Sequence, residues 1–154
     1  MRRVLFVCTG NLCRSPMAEY ALQKALANRG VDNILSESAG TMAYDGSPAA
    51  SRAITEAASH GLNMASHRSR FLTRKMVNEA EVIVAMEGHH YQSIAGLAPH
   101  ATEKIVMIGD LIPGRGDPEI GDPYGGTEED FARAFEEIKQ AVENLADKLM
   151  EYKE

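Results

Sequence analysis

The segment from Cys8 to Ser15 places a cysteine, five intervening residues and an Arg-Ser pair in one short loop. Gly10 and Asn11 tolerate positive φ, so the backbone can curl and turn its N–H groups toward one centre. N–H groups arranged in this way at the start of a helix bind a tetrahedral dianion. Arg14 adds a planar guanidinium that can hold two oxygens of the same group. This phosphate loop (residues 8–15) therefore predicts a site for a phosphate-like anion.

Cys8 lies at the base of this positive field, which should favour its thiolate, the nucleophilic form of cysteine. Ser15 could donate a hydrogen bond to the sulfur and help it to leave in a second step. Thr9, Leu12 and Cys13 complete the loop around the anion. The alternative is that Cys8 is a buried cysteine at a strand end and that the loop is an ordinary turn. The glycine, the serine and the flanking strand and helix favour the nucleophile.

Strands and helices alternate along the sequence. Predicted strands cover residues 3–8, 33–38, 81–86 and 104–108, and predicted helices cover 14–28, 48–60, 73–78, 88–96 and 127–150. The last helix opens with Thr127 and Asp130 at the spacing of a cap. Its apolar residues recur at helical spacing, at Phe131, Phe135, Ile138, Val142, Leu145 and Leu149. The alternation predicts an α/β fold with a parallel sheet and helices on both faces. Ligands of such sheets bind beyond the carboxyl ends of the strands, where the phosphate loop lies.

Composition excludes several classes of function. The chain has 154 residues, 44% of them hydrophobic and 25% charged, and a formal net charge of −6. These values favour a single domain (residues 1–154) over disorder, and the negative charge disfavours nucleic acids and anionic membranes as partners.

The cysteine count and the apolar runs bear on redox state and location. Cys8 and Cys13 are the only two cysteines, too close for a disulfide framework and without a nearby histidine pair for zinc. We expect no metal and no cofactor. The first apolar run is too short for a signal peptide, and no stretch approaches the ~20 apolar residues of a membrane span. A cytoplasmic location, where thiols stay reduced, is therefore expected.

Four motifs resemble the low-molecular-weight protein tyrosine phosphatases, and the similarity extends over nearly the whole chain. The motifs are Val7-Cys8-Thr9-Gly10-Asn11-Leu12-Cys13-Arg14-Ser15-Pro16-Met17-Ala18-Glu19, Ser38-Ala39-Gly40-Thr41, Ser66-His67 and Asp122-Pro123-Tyr124. The resemblance implies a three-layer fold with a four-stranded parallel sheet flanked by helices. It implies a phosphatase that forms a phosphocysteine on Cys8. It also implies that Asn11, Ser38 and His67 brace the phosphate loop through hydrogen bonds.

A phenolate leaving group, whose conjugate acid has a pKa near ~10, needs a general acid to protonate it. The sequence offers two Asp-Pro steps, at Asp117 and Asp122. Only Asp122 is followed by an aromatic residue and two glycines, as in the family. We predict Asp122 as the general acid, and as the base when water cleaves the phosphocysteine. A loop aspartate before proline is otherwise common turn chemistry, which is how we interpret Asp117.

The walls of the substrate pocket follow from the same resemblance. Tyr44 and Tyr124 match aromatic positions of the family and would clamp a substrate ring, although each alone fits an ordinary half-buried tyrosine. Leu12 should face the leaving group from the middle of the loop. Four other histidines are interpreted as solvated: His60, His89, His90 and His100.

The substrate has an alternative on the same fold. The Tyr124-Gly125-Gly126 form resembles bacterial members of the family, including the protein arginine phosphatases. Those carry a threonine where this chain has Leu12. A bulky apolar residue there favours an aryl phosphate over a phosphoguanidinium, so we rank phosphotyrosine first and phosphoarginine second. Expected partners are phosphorylated proteins, with small phosphate esters as a further class, and the expected state is a monomer or weak dimer.

Two alternatives belong to other classes of protein. Arsenate reductase on this scaffold needs further redox cysteines, and none follows Cys13. A non-enzymatic binder of phosphate or a flavin phosphate would need neither Cys8 nor Asp122. Replacing Cys8 by serine distinguishes an enzyme, which would lose turnover, from a binder, which would keep its ligand.

Cys13 suggests redox control. A curled loop could bring its sulfur close to that of Cys8, and a neighbouring thiol can trap an oxidised cysteine reversibly as a disulfide. The alternative is that Cys13 is a small buried hydrophobe under the loop. The sequence leaves the two open, and the family resemblance favours the disulfide.

Overall fold

Four parallel strands form one sheet in the protein, whose computed structural model describes residues 1–151. The strands are β1 (Arg2–Cys8), β2 (Ile34–Gly40), β3 (Val82–Ala85) and β4 (Ile105–Met107). Their order across the sheet is β2-β1-β3-β4, and each neighbouring pair is parallel. The four predicted strands and their parallel arrangement are confirmed.

Helices cover both faces of the sheet. Within residues 1–151 the α-helices are α1 (Arg14–Asn28), α2 (Ser51–Ser59), α3 (Arg74–Glu79), α4 (Gly88–Leu97) and α5 (Glu128–Glu151). Short 3₁₀ turns cover Pro99–Lys104 and Ile108–Leu111. No helix in the described part of the chain combines the length and the apolar character that crossing a bilayer requires.

The side chains of β1 alternate between two hydrophobic cores, because successive residues of a strand face opposite sides of the sheet. Val4 and Phe6 pack with α1, α2 and α5 on one face. Leu5 and Val7 pack with α3 and α4 on the other face. All four side chains are buried, which explains why β1 reads as a continuous apolar run.

The long helix α5 and its cap agree with the sequence pattern. Thr127 Oγ1 accepts a hydrogen bond from Asp130 N, and Asp130 Oδ2 accepts one from Thr127 N. The six apolar residues predicted to share one face are all buried: Phe131, Phe135, Ile138, Val142, Leu145 and Leu149. The predicted cap of α3 is also present, since Thr73 Oγ1 accepts from Met76 N.

Two element boundaries differ from the prediction by two residues or more, and both of these differences arise at the phosphate loop. The helix expected from residue 48 begins at Ser51, because Ala50 is extended and its N–H bonds the carbonyl of Leu12. The strand expected to end at residue 38 continues to Gly40, which pairs with Cys8. A Cβ on Gly40 would lie 2.5 Å from the Thr9 carbonyl oxygen, so only glycine lets β2 run this close to the loop.

The strand order places a crevice beyond the carboxyl end of β1. The chain leaves β1 toward β2 on one side and later crosses to β3 on the other side. The connections after β1 and β3 therefore diverge, which is where open α/β sheets bind their ligands. The phosphate loop and the segment after β3 lie at this point.

Candidate active site

The crevice contains a pocket of about 310 Å³, a volume within the range of small-ligand sites, about 300–1,000 Å³. Its walls come from the phosphate loop, from the segment after β2 and from the loop before α5. Nine of the residues predicted for the site line it: Cys8, Thr9, Gly10, Leu12, Cys13, Arg14, Tyr44, Asp122 and Tyr124. The fold thus brings together side chains from three distant parts of the sequence.

Four carbonyl groups of the phosphate loop accept hydrogen bonds from residues outside the loop. Thr41 N donates to the carbonyl of Cys8 and Met42 N to that of Thr9, each at 2.9 Å. His67 Nε2 donates to the carbonyl of Asn11 at 2.9 Å. Ala50 N donates to the carbonyl of Leu12 at 3.0 Å. Four surrounding groups therefore fix the orientation of four peptide planes.

The N–H groups of the same peptide planes must point the opposite way. In a trans peptide the carbonyl of one residue and the N–H of the next are antiparallel, and no cis peptide occurs within residues 1–151. The N–H groups of Thr9, Gly10, Leu12 and Cys13 are consequently directed away from the bracing groups. Together with the start of α1, they form a concave array suited to an anion.

Asn11 holds the turn of the loop. Its φ of 57° lies in the left-handed region, which asparagine tolerates better than most residues. Its side chain is fully buried and donates from Nδ2 to Ser15 Oγ at 2.8 Å and to Ser38 Oγ at 2.9 Å. Its Oδ1 accepts from Arg70 N at 2.9 Å. These bonds join the turn to α1, to β2 and to the backbone of Arg70.

The hydroxyl of Ser15 has one hydrogen and two possible acceptors for it. Ser15 Oγ accepts from Asn11, lies 2.9 Å from Cys8 Sγ and can donate to the Ala39 carbonyl at 3.4 Å. The contact to sulfur is the shorter of the two, and a thiolate at Cys8 could only accept the hydrogen there. Both Cys8 and Ser15 are buried, so this contact is shielded from solvent.

Ser38 extends the hydrogen-bond network from Asn11 to Glu19. Its hydroxyl accepts from Asn11 and donates to Glu19 Oε1 at 2.5 Å. Burial is the largest influence on the Glu19 carboxyl and raises its pKa. For His67, burial is again the largest influence and lowers its pKa, in keeping with a neutral ring that donates from Nε2. Ser38 and His67 lie where bracing of the loop was predicted.

Arg14 is 1% exposed, and the Nη1 group of its guanidinium donates two hydrogen bonds. Its Nη1 donates to Glu87 Oε1 at 2.6 Å and to the carbonyl of Ile120 at 2.8 Å. Its Nη2 lies 3.7 Å from Asp122 Oδ2. Its Nε has no hydrogen-bond partner among residues 1–151. A buried donor without a partner is costly, and a phosphate oxygen at the Nε–Nη2 edge would satisfy it.

Glu87 is a site residue that the sequence reasoning missed. It follows β3, lies beside the carboxyl end of β1 and holds the buried charge of Arg14. Its own carboxyl has a lowered pKa: burial is the largest influence and opposes the shift, and the hydrogen bond and charge of Arg14 outweigh it. Its position directly after β3 could have indicated that Glu87 belongs to the site, because the ends of adjacent parallel strands meet at one edge of a sheet.

Asp122 and Asp117 occupy different places. Asp122 lines the pocket with Cys8, and its Oδ1 accepts from Tyr124 N at 3.0 Å, which leaves Oδ2 facing Arg14. Asp117 does not line this pocket. Its Oδ1 accepts from Glu119 N in a local turn. Of the two Asp-Pro steps, only the one at Asp122 contributes its aspartate to the pocket that contains Cys8.

The mouth of the pocket is largely apolar. Tyr44 and Tyr124 line it and are 84% and 64% exposed. Leu12 also lines the pocket and is partly buried. Met42, which the sequence reasoning did not select, also lines the mouth and is largely exposed. A flat ring entering this mouth would contact apolar side chains.

Cys13 is buried and lines the pocket beside Cys8. Burial, followed by the charge of Asp122, raises the pKa of the Cys13 thiol to about 12. Cys13 therefore stays protonated near neutral pH. Both cysteines are present as free thiols.

The interpretation of His90 as solvated was wrong. His90 is fully buried at the start of α4, where its ring contacts Thr9 and Glu87. His60 is also partly covered, because its ring stacks on Phe135 with centroids 4.2 Å apart. His89 and His100 are exposed as expected.

Known proteins resemble the chain over almost its whole length. The family model described as low molecular weight phosphotyrosine protein phosphatase matches residues 3–154. The low molecular weight protein-tyrosine-phosphatase Etp of Escherichia coli K12 is 33% identical over 146 residues, which are 95% of this chain and 93% of Etp. A protein-arginine-phosphatase of Geobacillus stearothermophilus is 35% identical over 147 residues, which are 96% of this chain and 95% of that protein.

Solved structures share the fold. A protein tyrosine phosphatase from Entamoeba histolytica superimposes with a TM-score of 0.91 at 33% identity and covers 98% of each chain. A cysteine-to-serine mutant of the YwlE arginine phosphatase, with a phosphorylated active-site serine, superimposes with a TM-score of 0.89 at 28% identity. It covers 96% of this chain and 95% of its own. The chain belongs to the low molecular weight phosphotyrosine protein phosphatase family.

Proposed function

We propose that this protein hydrolyses phosphotyrosine in phosphorylated proteins through a phosphocysteine on Cys8. The observation that carries the proposal is the position of Cys8 Sγ. It lies at the base of a pocket whose loop turns four N–H groups inward, and it is 2.9 Å from the Ser15 hydroxyl. Arg14 lines the same pocket, and its Nε has no hydrogen-bond partner within residues 1–151. The phosphorylated active-site serine of the YwlE mutant supports covalent chemistry at the matching loop.

The first step transfers the phosphoryl group to sulfur. The Cys8 thiolate forms a bond to phosphorus while the bond from phosphorus to the phenolic oxygen breaks. Asp122, in its protonated form, gives a proton to that oxygen, so tyrosine leaves as the neutral phenol. The inward N–H groups and the Nε–Nη2 edge of Arg14 stabilise the charge on the equatorial oxygens.

The second step releases phosphate. A water molecule attacks phosphorus, Asp122 takes the proton of that water, and the sulfur–phosphorus bond breaks. The Ser15 hydroxyl donates to the departing sulfur and stabilises its negative charge. Inorganic phosphate leaves and the thiolate of Cys8 is restored. In this scheme no step calls on a metal or cofactor.

Leu12 and the aromatic mouth favour phosphotyrosine as the substrate. The walls beyond the phosphate loop include Leu12, Met42, Tyr44 and Tyr124, which suit a flat ring better than a charged guanidinium. Phosphoarginine is the second candidate, because an arginine phosphatase is among the relatives. We place the protein in the cytoplasm, acting as a monomer or weak dimer, with small phosphate esters as further substrates.

Cys8→Ser should reduce turnover of p-nitrophenyl phosphate by more than about 10³-fold, because the hydroxyl of serine is a weak nucleophile at neutral pH. Inorganic phosphate should still bind, since the loop and Arg14 are unchanged. Steady-state kinetics and calorimetric titration with phosphate measure the two effects. Turnover that survives Cys8→Ser and disappears with a chelator would contradict the proposal.

Asp122→Asn should slow phosphotyrosine hydrolysis by about 10²- to 10⁴-fold, because the general acid is lost. The loss should be smaller for p-nitrophenyl phosphate, whose leaving group needs less help from a proton. Asp117→Asn is the matched control: it removes the same charge from the neighbouring Asp-Pro step and should change kcat little. If the two variants exchange their effects, the assignment of the acid is wrong.

Leu12→Thr should shift the preference toward phosphoarginine, because it removes apolar bulk from the pocket and adds a hydroxyl. The measurement compares kcat/KM for phosphotyrosine, phosphoarginine and phosphoserine peptides in the original protein and the variant. The original protein should prefer phosphotyrosine. A preference for phosphoarginine before any substitution would refute the ranking of substrates while leaving the phosphocysteine mechanism in place.

Peroxide should inactivate the enzyme through a Cys8–Cys13 disulfide that thiol reductants reopen. The raised pKa of Cys13 predicts that the disulfide closes slowly near neutral pH, because the thiolate is the attacking form. The test compares recovery of activity after peroxide and then reductant in the original protein and in Cys13→Ser. Equal recovery in the two would show that Cys13 does not protect Cys8.

A further inference from the structure

The start of α4 reaches the phosphate loop at two points. Glu87, the residue before the helix, bonds Nη1 of Arg14 at 2.6 Å. His90, one turn further on, lies with Nε2 2.8 Å from Thr9 Oγ1. Glu87 and His90 also bond each other in a capping box, so they are held as one unit. A single helix start therefore contacts both the arginine and the first half of the loop.

The hydrogen bonds of His90 determine which ring nitrogen carries the proton. Glu87 N donates to His90 Nδ1 at 3.0 Å, so Nδ1 is an acceptor. In a neutral imidazole the other nitrogen, Nε2, then bears the hydrogen and donates it to Thr9 Oγ1. Burial, followed by the nearby His89 and Arg14, lowers the pKa of His90 to about 4. The ring is thus neutral near neutral pH, as this arrangement requires.

Thr9 is held on two sides as a result. Its carbonyl accepts from Met42 N at 2.9 Å, and its side chain accepts from His90. These two bonds fix the residue whose own N–H, and the N–H that follows it at Gly10, are directed into the loop. Because Thr9 Oγ1 accepts from His90, its hydroxyl hydrogen is free to point elsewhere, and Thr9 lines the pocket.

We propose that His90 is a positioning residue for phosphate binding, acting through Thr9: its Nε2–H holds the Thr9 side chain and so fixes the two N–H groups on either side of that residue. The proposal rests on the proposed function only in taking residues 8–15 as the phosphate site. The start of α4 would then fix the position of the Arg14 guanidinium through Glu87 and the direction of the Thr9 and Gly10 N–H groups through His90. His90 is not among the residues that line the pocket with Cys8.

Metal binding by the same group is less well supported. Potential ligand atoms of Glu87, His89 and His90 lie within 4.8 Å of one another. Both ring nitrogens of His90 are engaged by Glu87 N and Thr9, and Glu87 Oε1 bonds Arg14. A metal would have to break these bonds and release the buried guanidinium. The group is therefore better explained as a support for the loop.

Two substitutions separate the two bonds of His90. In His90→Asn, Oδ1 can replace Nδ1 and accept from Glu87 N, while the bond to Thr9 is lost. In His90→Gln, Nε2 can replace the ring Nε2 and donate to Thr9, while the bond from Glu87 N is lost. Thr9→Val removes the same bond from the loop side and leaves the helix cap unchanged. His100→Asn, at an exposed histidine, is the control for the substitution itself.

The readouts are the affinity for inorganic phosphate by calorimetry, which needs no turnover, and the unfolding temperature. His90→Asn and Thr9→Val should each weaken phosphate binding about three- to tenfold, the size expected for one hydrogen bond. The double variant should bind no more weakly than either single one. His90→Gln should bind phosphate nearly as the original protein does but unfold at a lower temperature, and His100→Asn should change neither value.

Unchanged phosphate affinity in His90→Asn, or losses that multiply in the double variant, would overturn the proposal. Thr9→Val keeps the test decisive if a His90 variant does not fold, because His90 and its cap stay intact; unchanged phosphate affinity in Thr9→Val would overturn it as well. A protein that binds phosphate as described but hydrolyses no phosphate ester would refute the proposed function and leave the positioning role of His90 standing.

Discussion

The outward anchoring of four carbonyl groups is the constraint on which the site depends. Thr41, Met42, Ala50 and the His67 ring each donate to a carbonyl of the phosphate loop, and the planarity of the peptide then turns four N–H groups inward. The inward direction of these N–H groups is therefore imposed by the surrounding fold as much as by the loop. Because these donors come from outside the loop, the array is preorganised before any ligand arrives, which is the condition for strong electrostatic stabilisation of a transition state.

The sheet brings the hydrogen-bond donors that brace the phosphate loop to one edge, beside the carboxyl end of β1. Gly40 lets β2 run against the loop, and the extended backbone before α2 frees Ala50 N to bond Leu12. A buried guanidinium is stable only with partners, and the segment after β3 supplies Glu87. At the other edge of Arg14, Nε has no hydrogen-bond partner in the described part of the chain and Nη2 has Asp122 Oδ2 at 3.7 Å, so this edge is the part suited to a phosphate. Each neighbouring strand of β1 thus contributes one support.

Local patterns in the sequence were sufficient for the elements and the loop. The continuous apolar run predicted β1, and the spacing from Phe131 to Leu149 predicted the buried face of α5. Glu87 and His90 could not be found in this way, because their roles come from contacts across 73 and 81 residues of sequence. A histidine in a polar stretch gives no sign of burial until the helix that carries it is packed. The late start of α2, at Ser51 and not at residue 48, was likewise set by a tertiary bond, from Ala50 N to the carbonyl of Leu12.

The most direct test of the account is a crystal structure of the protein with orthovanadate, an anion that can adopt the trigonal-bipyramidal geometry of phosphoryl transfer. The account predicts vanadium bonded to Cys8 Sγ, with equatorial oxygens within hydrogen-bond distance, about 2.7–3.2 Å, of the inward N–H groups and of Arg14 Nε and Nη2. Asp122 should lie at the apical oxygen opposite the sulfur. Vanadate bound elsewhere, or a loop whose N–H groups turn away from it, would contradict the account.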